Sequence, residues 1–298
     1  MLLVGTGDGV VELGIDGREL RRAQPDVEIT AVSGDWAIGS RRLLALETGA
    51  SVELPDGLAP RCVLALEGGR ALVGTSEARL VEVGGPEGPQ VDTSFDEIPT
   101  RDRWTTPWGG PPDTRSVAVG ADGPLAGVHV GGVWRHDPDG WIEVVPAEAD
   151  DHQVVAVGST VGVAAAVGVG QSDDGGRTWS WSDEGLHAPY CRAVAIADDW
   201  ILASAATGPG ARESAVYRRP LADPGRPFEP CGSGNGSEPD RLPARFPHLI
   251  DTFALAAAGG LVAVGSPTGE VHLSEDSGAT WRCLTESLPG VHCVDLAA

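Results

Sequence analysis

The feature that most constrains the fold is an eight-residue pattern, Ser-x-Asp-x-Gly-x-Thr-Trp, which occurs twice in the chain. An aspartate at this position accepts hydrogen bonds from backbone N–H groups just downstream, and the following glycine supplies the positive φ that a tight turn needs. The tryptophan then enters the next strand and buries a large ring against the neighbouring sheet. The pattern therefore predicts one turn used twice. Its defining residues are Ser172, Asp174, Gly176 and Trp179, and Ser274, Asp276, Gly278 and Trp281.

Short apolar segments recur between and around these turns. They are apolar on both faces and rich in small residues, which favours strands buried between neighbours at the crowded centre of a ring. Seven such segments are present, and we interpret each as the inner strand of a repeat. They are 29–32, 63–66, 117–119, 154–157, 193–196, 253–256 and 294–296.

A second apolar strand follows six of these segments after a short turn, and the seventh second strand is Leu2-Leu3-Val4-Gly5. A C-terminal strand within 291–297 must therefore complete the blade that continues through residues 1–25. A ring closed in this way has no free sheet edge. The sequence predicts an all-β fold: one domain over 1–298, a seven-bladed β-propeller of four-stranded antiparallel blades, closed by the C-terminal strand joining the N-terminal blade.

Two insertions interrupt the repeat, at about 99–113 and 232–247. Both fall between an outer strand and the next inner strand, which places them on the face that carries the mouth of the ring. Long loops on one face of a repeat protein commonly bind partners.

The turn pattern resembles the Asp-box, or BNR, repeat of sialidase-like β-propellers. In that family the box joins the third and fourth strands of a blade, on the face away from the catalytic site. The resemblance implies a scaffold role for the two turns.

Composition limits the partners. The net charge is −22, and every basic residue is an arginine. Such a surface repels phosphate backbones and anionic lipids, so we expect neither nucleic acid nor a membrane as partner. The acidity and the missing lysine suggest a GC-rich prokaryotic source, with salt adaptation as a further hypothesis. No apolar run reaches spanning length and no cleavable leader is recognisable, so we expect a cytoplasmic location.

The five cysteines have no CxxC spacing. Cys62, Cys191 and Cys293 fall at the same repeat position in apolar strands, which favours small buried hydrophobes over a disulfide framework. A metal site shared between blades is the alternative. We expect no cofactor and no metal.

Polar residues cluster where the inner strands begin, and these positions converge on the mouth of the ring. They support two interpretations. Arginines and histidines there would bind an anionic or polyhydroxylated ligand, or the polar residues simply satisfy water and one another at a wet surface. Trp104 and Trp108 either stack on a ligand or anchor the first insertion. The mouth candidates are Glu28, Arg61, Arg115, His152, Tyr190, Arg192, Asp251 and His292, with Asp113, Asp151, His187 and His248 just before them and His129 as an outer candidate in a nearby loop.

The sialidase resemblance implies three arginines that clamp a carboxylate, a Tyr–Glu nucleophile pair and an aspartate acid. By position in the ring, these roles fall to Arg61, Arg115 and Arg192, to Tyr190, and to Asp251 or Asp113. The family's Arg-Ile-Pro signature has only a displaced counterpart, at 245–247.

The first functional hypothesis is therefore a non-catalytic binding or assembly scaffold, which would receive a protein partner or a small anionic or carbohydrate ligand at the mouth and the two insertions. The second is a sialidase-like glycoside hydrolase acting on an acidic sugar. A lyase or hydrolase using the histidines as acid and base is a third.

Overall fold

The computed structural model describes residues 1–232 and 241–296. Seven four-stranded antiparallel sheets form the blades of a β-propeller, as the sequence predicted. The strand Val291–Leu296 pairs with Leu2–Thr6, with Val294 opposite Val4, and so closes the ring. Residue 297, included in the predicted closing segment, lies outside the described residues.

Within each blade the four strands are arranged in order from the central channel to the outside of the ring. The inner strands are Val291–Leu296, Ile29–Ser33, Pro60–Ala65, Thr114–Gly120, Asp151–Val157, Tyr190–Ala197 and Leu255–Ala258. The second strands are Leu2–Thr6, Trp36–Gly39, Ala71–Thr75, Gly123–Val128, Thr160–Ala165, Trp200–Ala206 and Leu261–Gly265. The third strands are Gly9–Leu13, Arg42–Ala45, Leu80–Val83, Gly132–Asp137, Gly168–Ser172, Ser214–Pro220 and Val271–Ser274. The outer strands are Glu19–Ala23, Ser51–Val52, Gln90–Val91, Gly140–Val145, Ser180–Ser182, Glu229–Pro230 and Arg282–Thr285.

The core lies between neighbouring blades. Consecutive inner strands contact one another around the whole ring. Valine and alanine dominate them because seven backbones converge there and leave room only for small or β-branched side chains. Helical segments are short and lie in the connections: Thr93–Asp96 is α-helical, and Pro55–Gly57, Glu67–Gly69, Arg101–Arg103 and Ala147–Ala149 are 3₁₀.

The buried cysteines act as small core residues. Cys62 and Cys293 are fully buried, and each sulfur lies against a glycine of the adjacent strand. A Cβ placed on Gly74 would lie 2.4 Å from the Cys62 sulfur, and one on Gly5 would lie 2.3 Å from the Cys293 sulfur. Burial raises the pKa of the Cys191 thiol to about 12. All five cysteines are free thiols.

The two patterned turns have the same internal hydrogen bonds. Asp174 Oδ1 accepts from the N–H of Thr178 at 2.8 Å, and Asp276 Oδ1 accepts from the N–H of Thr280 at 2.7 Å. The hydroxyl of Thr178 donates to Asp174, and this bond is the largest cause of the lowered pKa of that carboxyl. Both turns join the third strand of a blade to its outer strand.

The serines and tryptophans complete both turns. Ser172 Oγ accepts from the N–H of Gly176 at 2.8 Å, and Trp179 Nε1 donates to the Gly176 carbonyl at 3.0 Å. Trp281 is 4% exposed, whereas Trp179 is half-buried. The structure differs from the prediction in one detail, since each tryptophan stands immediately before the outer strand rather than within it. Each indole N–H donates to the carbonyl of the box glycine, so the tryptophan side chain belongs to the turn.

The inner strand of the last complete blade begins later than predicted. Phe253 and Ala254 precede the strand Leu255–Ala258. Phe253 has φ +68°, which is incompatible with an extended strand and uncommon for a bulky side chain. The prediction of a strand from residue 253 was therefore wrong by two residues.

The first insertion is compact. It contains the 3₁₀ turn Arg101–Arg103 and a closed loop in which the N–H of Thr106 donates to Gly110 at 3.1 Å. In the second insertion, 233–240 lie outside the described residues. Phe246 forms an isolated antiparallel bridge with Ser214.

Candidate functional site: the mouth pocket

A pocket of about 630 Å³ opens at the mouth of the ring, where the inner strands begin. Three arginines that the sequence placed there, Arg61, Arg115 and Arg192, all line it. We call it the mouth pocket. Its other lining residues are Thr30, Trp108, Asp113, His129, Ala211, His248, Leu249, Asp251, Thr252, Phe253, Pro267, Val291 and His292.

Arg192 is held in a fixed ion pair. Its Nε donates to Asp251 Oδ1 at 2.7 Å, and its Nη1 donates to the Tyr190 hydroxyl at 3.2 Å. Burial is the largest single influence and would lower the pKa of Arg192, but the charge and hydrogen bond of Asp251, together with those of Tyr190, outweigh it and the pKa is raised. This guanidinium is therefore positioned and already neutralised in part.

Arg61 and His129 share one carboxylate. Asp113 Oδ2 lies 3.5 Å from Arg61 Nε, and its Oδ1 lies 3.4 Å from His129 Nδ1. Trp108 meets the His129 ring edge-on at 5.2 Å and is 74% exposed. The first insertion thus contributes an exposed indole to the pocket wall.

Arg115 has no such partner. Its Nη1 is buried and donates no hydrogen bond to any atom of the described residues. Among the ion pairs within 1–232 and 241–296, none includes Arg115. Burial, followed by repulsion from Arg192, lowers its pKa, and the nearby Asp151 opposes this. Because an arginine stays charged in proteins, the pocket contains a desolvated cation with an unused donor.

Asp151 lies next to Arg115, behind the pocket wall. It is fully buried, neither carboxyl oxygen has a hydrogen-bond partner in the part of the chain that the structure describes, and burial raises its pKa to about 7. Its Oδ2 occupies the space beside Gly127, where a Cβ would lie only 2.4 Å away. The carboxyl is thus a weak counter-charge for Arg115, ionised only partly near neutral pH.

His152 does not line the pocket. It is 1% exposed, and its Nδ1 lies 2.6 Å from the Cys191 carbonyl oxygen. Because a carbonyl oxygen can only accept, Nδ1 carries the ring proton. Burial lowers the pKa of His152 to about 3, which keeps the imidazole neutral. Its ring packs edge-on against Tyr190 at 4.6 Å. His152 is therefore a buried packing partner of Tyr190.

The remaining candidates divide between rim and core. His292 lines the pocket, and its Nε2 lies 3.6 Å from Glu28 Oε1 at the exposed rim. Trp104 is 7% exposed and packs on Phe95 and Trp134 at 5.5 Å each. Its side chain is therefore an anchor of the first insertion, and it does not line the pocket.

Phe253 is the largest of the pocket residues that the sequence pattern did not place at the mouth. The sequence pattern predicts a strand there, yet Phe253 lines the mouth pocket and packs on three hydrophobic clusters, which draw their residues from four other blades. Its carbonyl accepts from the N–H of Val294 at 2.8 Å. The signal that could have found it was its size, since the other predicted inner segments begin with a smaller aliphatic residue.

Comparisons with known proteins support the fold. No protein-family model and no curated protein matches the sequence. Among solved structures, the chain is similar to the computationally designed Ika8 protein, with 15% identity, a TM-score of 0.61 and coverage of 99% of this chain and 90% of the other. It is also similar to virginiamycin B lyase from Staphylococcus aureus, with 13% identity, a TM-score of 0.55 and coverage of 93% and 87%.

A third similar structure is a GH74 xyloglucanase from Xanthomonas campestris, with 15% identity and a TM-score of 0.53 over 95% of this chain and 46% of that one. At these identities the likeness concerns the propeller fold alone. Within the described residues, no helix is long and apolar enough to cross a membrane. The same part of the chain contains no group of three or more histidine, cysteine or acidic residues arranged to hold a metal.

Proposed function

We propose that this propeller is a non-catalytic binding module whose mouth pocket receives an anionic group, either on a small ligand or on a protein partner held by the two insertions. The single observation that carries this proposal is Arg115, a desolvated guanidinium with an unbonded Nη1 and no ion pair among the described residues. A carboxylate or phosphate in the pocket would pair with this guanidinium and offset the cost of burying its charge.

The surroundings of Arg115 support an anion of moderate size. Arg61 and Arg192 line the same pocket, and each shares its charge with one aspartate. The whole chain carries a charge of −22, so a group of three arginines in one pocket contrasts with the acidic character of the rest of the protein. Trp108 offers an exposed ring at the wall, which suits the apolar face of a sugar or a peptide side chain.

The test is calorimetric titration of the folded protein with acetate, phosphate, citrate and N-acetylneuraminate. We expect binding of at least one anion, weakened about ten-fold or more in Arg115→Gln, because a hydrogen bond to a charged group contributes about 1.5–3 kcal/mol. Arg177→Gln is the matched control, since Arg177 pairs with Asp122 in the turns of the opposite face. Equal affinities in the wild type and Arg115→Gln would refute the proposal.

A sialidase-like glycosidase is the second candidate, favoured by the convergence of Arg61, Arg115 and Arg192 on one pocket. Against it, Tyr190 contacts Arg192 and His152, and no glutamate of the described residues bonds to its hydroxyl. Hydrolysis of a fluorogenic sialoside that disappears in Tyr190→Phe would establish this activity. Anion binding without hydrolysis would support the non-catalytic binding module instead.

We also propose that the chain is an Asp-box propeller. The support is the matching hydrogen bonding of the two turns, in which Ser172 and Ser274 each bind the N–H of the box glycine, at 2.8 and 2.9 Å. Under this proposal the turns are scaffold, and ligand binding takes place on the other face.

A further inference from the structure

A second cavity of about 350 Å³ occupies the other end of the central channel. The mouth pocket uses the first residues of the inner strands, whereas this cavity uses later ones and includes Val32, Leu64, Ala156 and Ile196. We call it the lower well. Because it is separate from the mouth pocket, ligand binding in the lower well is independent of the proposed function.

Most of the side chains that line the lower well are apolar, and backbone groups supply polar surface between them. Apart from backbone groups, the polar lining residues are Ser33, Gln153 and Asp295. Two of these are engaged within the ring: Ser33 Oγ accepts from the N–H of Ala65 at 3.0 Å, and Gln153 Oε1 accepts from the N–H of Val194 at 3.2 Å. An apolar cavity of this volume with few polar groups is typical of a small-molecule site.

Phe253 closes the lower well at its inner end. Its side chain lines both this cavity and the mouth pocket, so it separates the two. At the outer end, Val119 and Val157 are 44% and 59% exposed and line the opening. The well therefore opens to solvent at this end, and apolar side chains line it from Phe253 to the opening.

Asp295 is the charged group of the lower well. Its Oδ2 accepts from the N–H of Gly34 at 2.8 Å, and Gly34 lies in the turn that follows the inner strand Ile29–Ser33. The carboxyl thus stands near the rim. No arginine or histidine is among the residues that line the well. Burial raises the pKa of Asp295, and the hydrogen bond from Gly34 acts in the opposite direction.

These features define the chemistry of a ligand. An apolar chain would fill the space between the small inner-strand side chains and remove their surface from water. A cationic head at the rim would pair with Asp295, whose second oxygen has no basic lining residue to bind. We propose that the lower well binds a small aliphatic amine, with its apolar chain toward Phe253 and its ammonium group at Asp295.

The experiment compares three probes of equal chain length, n-hexylamine, 1-hexanol and hexanoate, by calorimetric titration of the full chain at neutral pH. We expect hexylamine to bind about ten-fold more tightly than hexanol, since only the ammonium forms a charge-assisted hydrogen bond, and hexanoate to bind least. Asp295→Asn keeps an acceptor for Gly34 and should reduce hexylamine affinity to that of hexanol.

A second variant tests the well independently of Asp295. Ala156 lines it, and Ala156→Phe should fill the space and abolish binding of both hexylamine and hexanol. Asp26→Asn is the matched control for nonspecific attraction, because Asp26 is an exposed carboxylate in a loop outside the well. Arg115→Gln, in the mouth pocket, should leave hexylamine affinity unchanged.

Three results would overturn the proposal. The first is absence of hexylamine binding. The second is equal affinity for hexylamine in the wild type and in Asp295→Asn. The third is hexylamine binding that survives Ala156→Phe and weakens in Asp26→Asn, which would assign it to the acidic surface.

Discussion

Arg192 donates from Nε to Asp251 Oδ1 at 2.7 Å. Asp251 lies in the connection that leads to the next blade, so its carboxylate partly neutralises one arginine of the mouth pocket. Asp251 therefore competes with any anion that enters the pocket. We predict that Asp251→Asn tightens anion binding by about three- to ten-fold, since it removes a nearby negative charge and keeps the oxygen that accepts from the N–H of Thr252.

Calorimetry with the anion that binds the wild type best measures this effect. Asp122→Asn is the control, because Asp122 pairs with Arg177 away from the pocket. Weaker binding in Asp251→Asn would mean that Asp251 holds the arginines in place more than it competes with the ligand.

The patterned turns should contribute to stability without contributing to binding. In Ser274→Ala the buried N–H of Gly278 loses its acceptor at 2.9 Å, and we predict a loss of about 1–2 kcal/mol in the free energy of unfolding. Ser172→Ala should cost a similar amount, since its hydroxyl binds the N–H of Gly176 at 2.8 Å.

Urea unfolding measures both losses against Ser287→Ala, a substitution at an exposed loop position. Anion affinity should be unchanged in all three variants. A stability loss in Ser274→Ala no larger than in Ser287→Ala would show that the serine hydroxyl does not stabilise the turn.

The ring was predictable because its signal is local and repeated. Segments such as 193–196 combine β-branched and small residues, and seven such inner strands are present. The second strand of the last one lies at the other end of the chain, at Leu2–Gly5, so the C-terminal strand must close the ring. The positions of Arg61, Arg115 and Arg192 followed from the same repeat, since each stands at the start of an inner strand and all three line one pocket.

The state of each mouth residue was not predictable, because it depends on contacts between blades. Arg192 and Asp251 are 59 residues apart in the chain, and the burial of Asp151 and His152 depends on neighbouring strands. Phe253 was misassigned for a related reason. Its side chain is favourable in a strand, but the ring requires a positive φ at that position.

His272 should make folding sensitive to acid. It is 5% exposed, and neither ring nitrogen has a hydrogen-bond partner within residues 1–232 and 241–296. Burial lowers its pKa to about 4 against an ordinary value of 6.5, with Glu270 opposing. Between these values the unfolded chain binds a proton that the native state does not. Stability is therefore retained above pH 6.5 and falls as the pH drops toward 4, by about 3 kcal/mol at most from this residue.

His272→Leu should remove that part of the dependence. We expect the variant to be at least as stable as the wild type at pH 7.5, because it buries no unsatisfied nitrogen, and its relative stability to increase steadily down to pH 4. Urea unfolding across this range measures the difference. A constant difference between the two proteins would show that His272 does not titrate between the native and unfolded states.

Phe253 is the position where backbone conformation should reverse the usual order of substitutions. Its φ is +68°, a region in which glycine is more favourable than alanine by about 1 kcal/mol. Phe253→Ala and Phe253→Gly both remove the ring that separates the mouth pocket from the lower well, so both should destabilise the protein. We predict that the glycine variant is the more stable of the two, as measured by urea unfolding, although it retains fewer atoms. If Phe253→Ala were instead the more stable, the backbone at this position would have to relax away from the left-handed region once the ring is removed.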